Sequence, residues 1–390
     1  MLRQVTLEDI RPIAIGAGIL GTGGGGNPYL GGLHLASVIR EKGPQAIIDP
    51  FDLADDALCC VVGSIGAPTV SIEKLPEGTE MMRAMRELEA HIGRRFDAVA
   101  IAEIGGANSM QPLIGGLQAG IPTVDSDSMG RAFPEIQMSS FLFDTSAKAA
   151  PLAMVDVADN AALIPAAVSD VWAEKMARNI AVSMGARAGL AGTIMTGAQV
   201  KAAGVHYTLS LAHHLGSRVI EAQERKADVP AVVADALDGE VIFCGKITDV
   251  DRRVSKGFAR GGVRFESYSG ADVLEIEFQN EFLIAYINGE IVATVPDLIC
   301  IVTEEEGEPV TTEVLRYGTR VAVIAAPAPA QLKSGVALDV VGPRAFGYDV
   351  DFRPLPGGVI GRSPQRFTTE EKEDTQRSQR ELQGNHANPL

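Results

Sequence analysis

The chain has 390 residues, 46% of them hydrophobic and 22% charged, with a net charge of −16. That length exceeds what a single hydrophobic core organises and predicts two domains, while the composition excludes disordered and fibrous classes. The acidic excess, with no basic stripe to offset it, excludes a general nucleic-acid binder.

Met1 to Asp9 is polar and leads into no apolar h-region, and the longest apolar runs are broken by glycine, proline or charge before they reach membrane-spanning length. A cytoplasmic protein without a membrane span is therefore expected. Leu7–Leu20 reads as a helix, with Thr6 as N-cap and Glu8 and Asp9 in its first turn. Within it, Gly16-Ala17-Gly18-Ile19-Leu20-Gly21 satisfies GxGxxG, and Asp49 could pose as a ribose-binding acid. A dinucleotide fingerprint needs a buried strand before the first glycine, so a dinucleotide-dependent oxidoreductase stays an alternative only.

The next segment, Gly21 to Gly31, holds four consecutive glycines, Gly23, Gly24, Gly25 and Gly26, followed by Asn27 and Pro28. Ordering such a run is costly in entropy, so it suits places where backbone must approach a partner closely or adopt positive φ. Pro28 opens a helix beside it, and free N–H groups there suit an anion or a carbonyl oxygen.

Strands are predicted at Gln45–Ile48, Leu58–Gly63, Asp97–Ile101, Ile121–Val124 and Leu152–Val157. Helical patterns fall at Leu33–Glu41, Glu80–Ile92, Gln111–Gln118, Val168–Met184 and Tyr207–Arg225. This alternation predicts an α/β domain over 1–239 with a mostly parallel sheet covered by helices on both faces. Ligands in such folds collect beyond the carboxyl ends of the strands.

Three strand ends carry the chemistry. After Gly63 a loop presents Thr69, Glu73 and Lys74, with Thr69 a candidate for substrate contact. After Ile101 come Glu103 and Asn108, a carboxylate and an amide separated by glycines. After Val124 come Asp125 and Asp127, which as alternate residues of a strand share a face and could flank a metal or hold one proton between them. Capping of the following turn is the competing role. Arg131 and Glu135, which follow, lie one helical turn apart and supply more charge than capping requires. His206 and His213 are seven residues apart. His213 continues the stripe of Leu209, Gly216 and Ile220 and reads as a core histidine, which leaves His206, in the turn before the helix, as the catalytic candidate.

Beyond Asp238-Gly239 strands and tight turns replace helices, predicting a smaller β-barrel or sandwich over 240–360. Leu274, Ile276 and Phe278 alternate with Glu275 and Glu277, and Asn288-Gly289 joins Phe282–Ile287 to Glu290–Val295 as a hairpin. Further strands are expected at Leu298–Thr303 and Arg320–Ala325, and 361–390 reads as a polar tail. The cysteines Cys59, Cys60, Cys244 and Cys300 lack CxxC spacing, and their surroundings predict core thiols in a reducing compartment.

Taken together, Leu20 to Gly31, Gly66-Ala67-Pro68, Glu103-Ile104-Gly105-Gly106, Asp125 to Glu135 and Gly342 to Asp349 resemble the S-methyl thiohydantoin desulfurase family, as do Gly245-Lys246-Ile247, Gln279-Asn280-Glu281 and Val295 to Ile299. The likeness runs from the first helix to about Pro356. It implies a three-layer αβα domain joined to a β-barrel, and hydrolysis at the sulfur-bearing carbon of a thiohydantoin ring to leave a hydantoin and a thiol. Association with hydantoinase/oxoprolinase proteins is also implied, as catalyst or as a non-catalytic partner subunit.

Water attack on an amidine-like carbon needs a base, an acid or cation, and exclusion of solvent. Glu103, Asp125 and Asp127 are the candidates for base or metal ligation, with His206 as a third ligand or acid and a divalent metal such as zinc as the cofactor to expect. Gly23, Gly24, Gly25, Gly26, Asn27, Thr69, Asn108, Arg131 and Glu135 are the candidates for substrate contact. A homo-oligomer acting on a small cyclic amide is the expected form.

Overall fold

The computed structural model describes residues 1–66, 76–143, 146–255 and 258–362. Thr69, Glu73, Lys74 and the tail from residue 363 lie outside the described residues. Strand β1 (Gln4–Val5) leads into helix α1 (Ile10–Leu20). The helix starts at Asp9 rather than Thr6, because the Asp9 carboxylate accepts the Thr6 N–H at 2.8 Å and the Thr6 hydroxyl at 2.7 Å and so turns the chain. Helix α2 (Pro28–Lys42) starts as its sequence demands, with Pro28 in the first turn and the Asn27 side chain accepting the Tyr29 N–H.

Strand β2 (Gln45–Ile48), β3 (Leu58–Gly66), α3 (Glu80–Ile92), β4 (Ala98–Ile101), α4 (Gln111–Ala119) and β5 (Thr123–Val124) follow the expected alternation. After them come β6 (Ser126–Asp127), β7 (Leu152–Val155), β8 (Ala161–Ile164), α5 (Asp170–Ser183), β9 (Arg187–Thr196), α6 (Gly197–Ala203), β10 (Val205–His206), α7 (Thr208–Arg225) and α8 (Val229–Ala236). The main sheet has the order β1-β2-β5-β4-β3-β9-β7-β8. Only its centre, β2-β5-β4-β3, is parallel; β1, β9, β7 and β8 add antiparallel, so the sheet is mixed. Strand β3 shows how the sheet is buried on both sides. Cys59 and Val61 enter one core with Phe141 and Val200, while Cys60 and Val62 enter another with Met81, Met85 and Leu88 of α3.

The first glycine of GxGxxG serves a helix crossing. A Cβ on Gly16 would overlap the Ala212 carbonyl of α7, and one on Gly216 of α7 would overlap the Pro12 carbonyl of α1. Glycine at both positions lets the two backbones touch.

The second sheet holds β11 (Glu240–Ser255), β12 (Phe258–Ser267), β13 (Val273–Gln279), β14 (Glu281–Ile287), β15 (Glu290–Thr294), β16 (Leu298–Thr303) and β17 (Arg320–Ala326). Its order is β15-β14-β13-β12-β11-β17-β16, all antiparallel, curled into a half-barrel. The hairpin at Asn288-Gly289 has φ of 51° and 84°, the positive pair such turns require. Strand β13 buries Leu274 and Ile276 and exposes Glu275 and Glu277, the alternation its sequence predicts.

Both faces of β16 and β17 are apolar because both are covered. Ile299, Ile301, Val321 and Val323 fill the half-barrel, while Leu298, Cys300, Ala322 and Ile324 pack in the same core as residues of α1, α7 and α8. This shared core ties the two sheets together and fixes how the second sheet meets the site. Cys59, Cys60 and Cys300 are buried, but Cys244 is exposed, which corrects the expectation of a core thiol there. Among the described residues no helix is long and apolar enough to cross a membrane.

Candidate active site

The carboxyl ends of the central parallel strands open into a cavity of about 1110 Å³. Ser64 reaches it from the end of β3, and Glu103 and Asn108 from the segment after β4. The half-barrel supplies the opposite wall through Asn280, Glu281 and Glu313. Ligand sites at strand ends are the rule for such sheets, and here the second sheet roofs the crevice.

The glycine run joins the two walls. Thr22 and Gly23 adopt φ of 48° and 93°, and Gly25 and Gly26 adopt 76° and 77°. The bend is stitched to the half-barrel at two carbonyls: Phe282 N–H donates to Thr22 O at 2.8 Å, and Thr312 donates to Gly23 O through its N–H at 2.9 Å and its hydroxyl at 3.1 Å. On the other side Ala107 N–H donates to Gly25 O at 2.8 Å. A Cβ on Gly24 would overlap the Glu281 carboxylate, so close approach demands glycine there, as positive φ does at Gly25. Gly25, Gly26 and Asn27 line the cavity, while Gly23 and Gly24 stand behind them.

Two buried carboxylates face this space. Glu103 accepts the Asn108 side-chain amide at 2.6 Å on Oε1 and the Phe133 N–H at 3.1 Å on Oε2. Burial nevertheless pushes it up to about 7. Glu281, the first residue of β14, is 2% exposed, and its Oε2 has no hydrogen-bond partner. Burial, then the nearby Glu103 charge, holds it well above the usual carboxylate range against the pull of Arg131. Glu313 is a third acid on the wall, raised by burial and accepting the Thr311 hydroxyl at 2.8 Å. Neither Glu281 nor Glu313 stands out in the sequence as a site residue. The signal was there for Glu281: a carboxylate beginning the apolar run Phe282-Leu283-Ile284, where alternation offers it no solvent face.

Asp125, Asp127, His206 and Arg131 are placed outside the cavity lining. Asp125 is fully buried at the start of α7. There it accepts the N–H groups of Leu209 and Ser210 at 3.0 and 3.2 Å and the Ser210 hydroxyl. It is the anionic anchor of that helix's positive end, and burial raises it to about 6. Asp127 turns the other way, its Oδ2 accepting the N–H groups of Ile104, Met129 and Gly130. Burial raises it to about 7. The two carboxylates therefore hold different segments, Asp125 the start of α7 and Asp127 the backbone at Ile104, Met129 and Gly130.

His206, on β10, contacts the Ser126 hydroxyl at 3.1 Å with Nδ1 and the Lys201 carbonyl at 2.9 Å with Nε2. Both ring nitrogens are thus occupied, and burial lowers its pKa. His213 pairs with Asp9 at 3.0 Å. Arg131 is fully buried and donates to the carbonyls of Ala132, Phe282, Pro296 and Asp297. It holds the half-barrel against the first domain rather than a substrate carboxylate. Glu135 does line the cavity but hydrogen-bonds the Gln137 side chain and lies outside any helix shared with Arg131.

Among the described residues no group of three or more His, Cys, Asp or Glu side chains could hold a metal ion. Of the donors expected for zinc, Asp125 and His206 spend their atoms on hydrogen bonds that hold the fold, while Oδ1 of Asp127 is buried without a hydrogen-bond partner. If Asp125 is such an anchor, Asp125→Ala should destabilise the protein by about 1–3 kcal/mol in equilibrium denaturation, the cost of a lost cap and stranded donors. A hundredfold loss of turnover per folded molecule would instead return Asp125 to the chemistry.

Fold and site together define a protein of a helix-flanked mixed sheet and a curled half-barrel, with buried carboxylates from both parts facing one cavity. The chain belongs to the S-Me-THD-like family: residues 8–166 match its N-terminal domain and residues 168–355 its C-terminal domain. A crystal structure of a protein from Chromobacterium violaceum is similar to it, with 25% sequence identity and a TM-score of 0.77, over 90% of this chain and 99% of that one. None of the curated proteins compared matches the chain.

Proposed function

We propose that the protein hydrolyses the carbon–sulfur bond of an S-methyl thiohydantoin, yielding the hydantoin and methanethiol, with Glu103 as general base and protonated Glu281 as general acid. The observation that carries this reading is the unequal acid pair. Two buried carboxylates face one cavity in unlike surroundings: both Glu103 oxygens accept hydrogen bonds, which favours its ionised form, whereas Glu281 Oε2 has no partner and burial beside the Glu103 charge favours its protonated form. Two carboxyl groups whose environments push their affinities for the proton apart are suited to opposite acid and base roles.

In this mechanism Glu103 takes a proton from a water molecule as its oxygen attacks the ring carbon that bears sulfur. Glu281 gives its proton to the adjacent ring nitrogen, and a tetrahedral intermediate forms. As the new carbonyl forms, the carbon–sulfur bond breaks, the intermediate's hydroxyl proton passes to Glu281, and Glu103 hands its proton to the departing methanethiolate. One water is consumed and both carboxyl groups return to their starting states. The backbone at Gly25 and Gly26, which lines the cavity, offers donors to the ring carbonyl.

The test is to supply S-methyl thiohydantoins in ¹⁸O-labelled water. Thiol and hydantoin should appear in equal amounts, with the label in the new carbonyl. Absence of thiol release across a series of ring substituents would overturn the reading. The pH dependence has a definite sign. A base raised to about 7 works only when ionised, so turnover should fall tenfold per unit below about pH 7 and level off above it until Glu281 loses the proton it must donate. A pH–rate profile with its acid limb near 4 would exclude Glu103 as the base.

A further inference from the structure

We propose that Ser64 and Asn108 are positioning residues that aim the Glu103 carboxylate, so that Asn108 serves the base rather than the substrate. This rests on the reading of Glu103 as general base. The orientation of the Asn108 amide is set by its neighbours. Its Oδ1 accepts both the Ser64 N–H at 3.0 Å and the Ser64 hydroxyl at 2.9 Å. The Ser64 backbone N–H can only donate, so the atom it meets is the oxygen, which turns Nδ2 toward Glu103 Oε1 at 2.6 Å.

Ser64 is itself fixed, because β3 lies between β4 and β9 and Ser64 pairs with Gly189 of β9. The sheet interior is thus connected through one serine and one amide to the carboxylate, while Phe133 N–H holds the other oxygen. Both carboxylate oxygens are held by donors, an arrangement that favours the ionised form and restricts the side chain to one rotamer.

The test reads Glu103 without any substrate. In ¹³C-NMR titration of glutamate carboxyl carbons, with Glu103→Gln assigning the signal, Asn108→Leu should move the Glu103 midpoint up by about one pH unit. Ser64→Ala should move it in the same direction by less, because the Ser64 N–H still holds the amide. The acid limb of the rate profile should move with the midpoint, and kcat should fall more than KM rises.

An unmoved midpoint in both variants overturns the proposal. So does a large rise in KM at constant kcat, which would put Asn108 on the substrate. Should Asn108→Leu fail to fold, Ser64→Ala alone decides by the same midpoint. A moved midpoint in a protein that releases no thiol would keep the positioning role and end the desulfurase reading, so the two failures are distinguishable.

Discussion

Glu103→Gln is expected to leave a folded protein whose turnover falls about 10²- to 10⁴-fold, the range general base catalysis contributes. Glutamine fills the same volume and can keep one of the two hydrogen bonds, accepting from Asn108 or from Phe133 but not from both. One donor then faces an amide N–H, so stability should drop by about 1–3 kcal/mol without loss of the native state. Circular dichroism and equilibrium denaturation would measure the second effect, and steady-state rates of thiol release the first. The companion variant Glu281→Gln separates the roles. It removes the acid but keeps a hydrogen-bond donor at that position, so it should retain more activity than Glu103→Gln. Equal activity of Glu103→Gln and wild type would remove the acid pair from the mechanism.

The second large effect concerns stability. Arg131→Met should destabilise the protein by about 3–5 kcal/mol, because several buried carbonyls lose their charged donor, at about 1–3 kcal/mol for each left unsatisfied. The guanidinium joins carbonyls from both parts of the chain: Ala132 beside it, and Phe282, Pro296 and Asp297 in the half-barrel. It also lies 4.7 Å above the Phe133 ring. Glu281 is its strongest electrostatic partner, so its loss should also make Glu281 harder still to ionise. Arg131→Lys keeps the charge but not the planar fork, and a single ammonium cannot reach carbonyls on several sides. It should therefore recover only part of the lost stability in urea denaturation. Full recovery by lysine would mean that charge alone, and not the fork, is what the half-barrel needs.

These two residues show how far sequence and structure each reach. Alternation of apolar runs with helical patterns identified the α/β part. The Asn288-Gly289 turn and the alternating Leu274-to-Phe278 strand identified the β part, because helix period, strand period and turn chemistry are local properties of consecutive residues. Strand β9 escaped this reading. Its Ala-Gly-Leu-Ala-Gly core has little intrinsic strand preference and is a strand because β3 and β7 pair with it on both sides. The mixed character of the sheet escaped with it.

In the site, Glu103, Asn108 and the glycine bend were legible as polar or glycine residues leaving a buried strand or a helix end. The sequence by itself determined the two-part architecture and the carboxylate at the end of β4. The direction of each buried polar side chain was decided only by tertiary structure. Asp125 and Asp127 look like a ligand pair at alternate strand positions, yet one anchors α7 and the other a loop. Glu281 lies 178 residues beyond Glu103 in the chain and meets it only because the half-barrel folds back over the first sheet. Which donors surround a buried carboxylate, and therefore whether it holds a helix or a proton, depends on contacts between distant segments that no local pattern encodes.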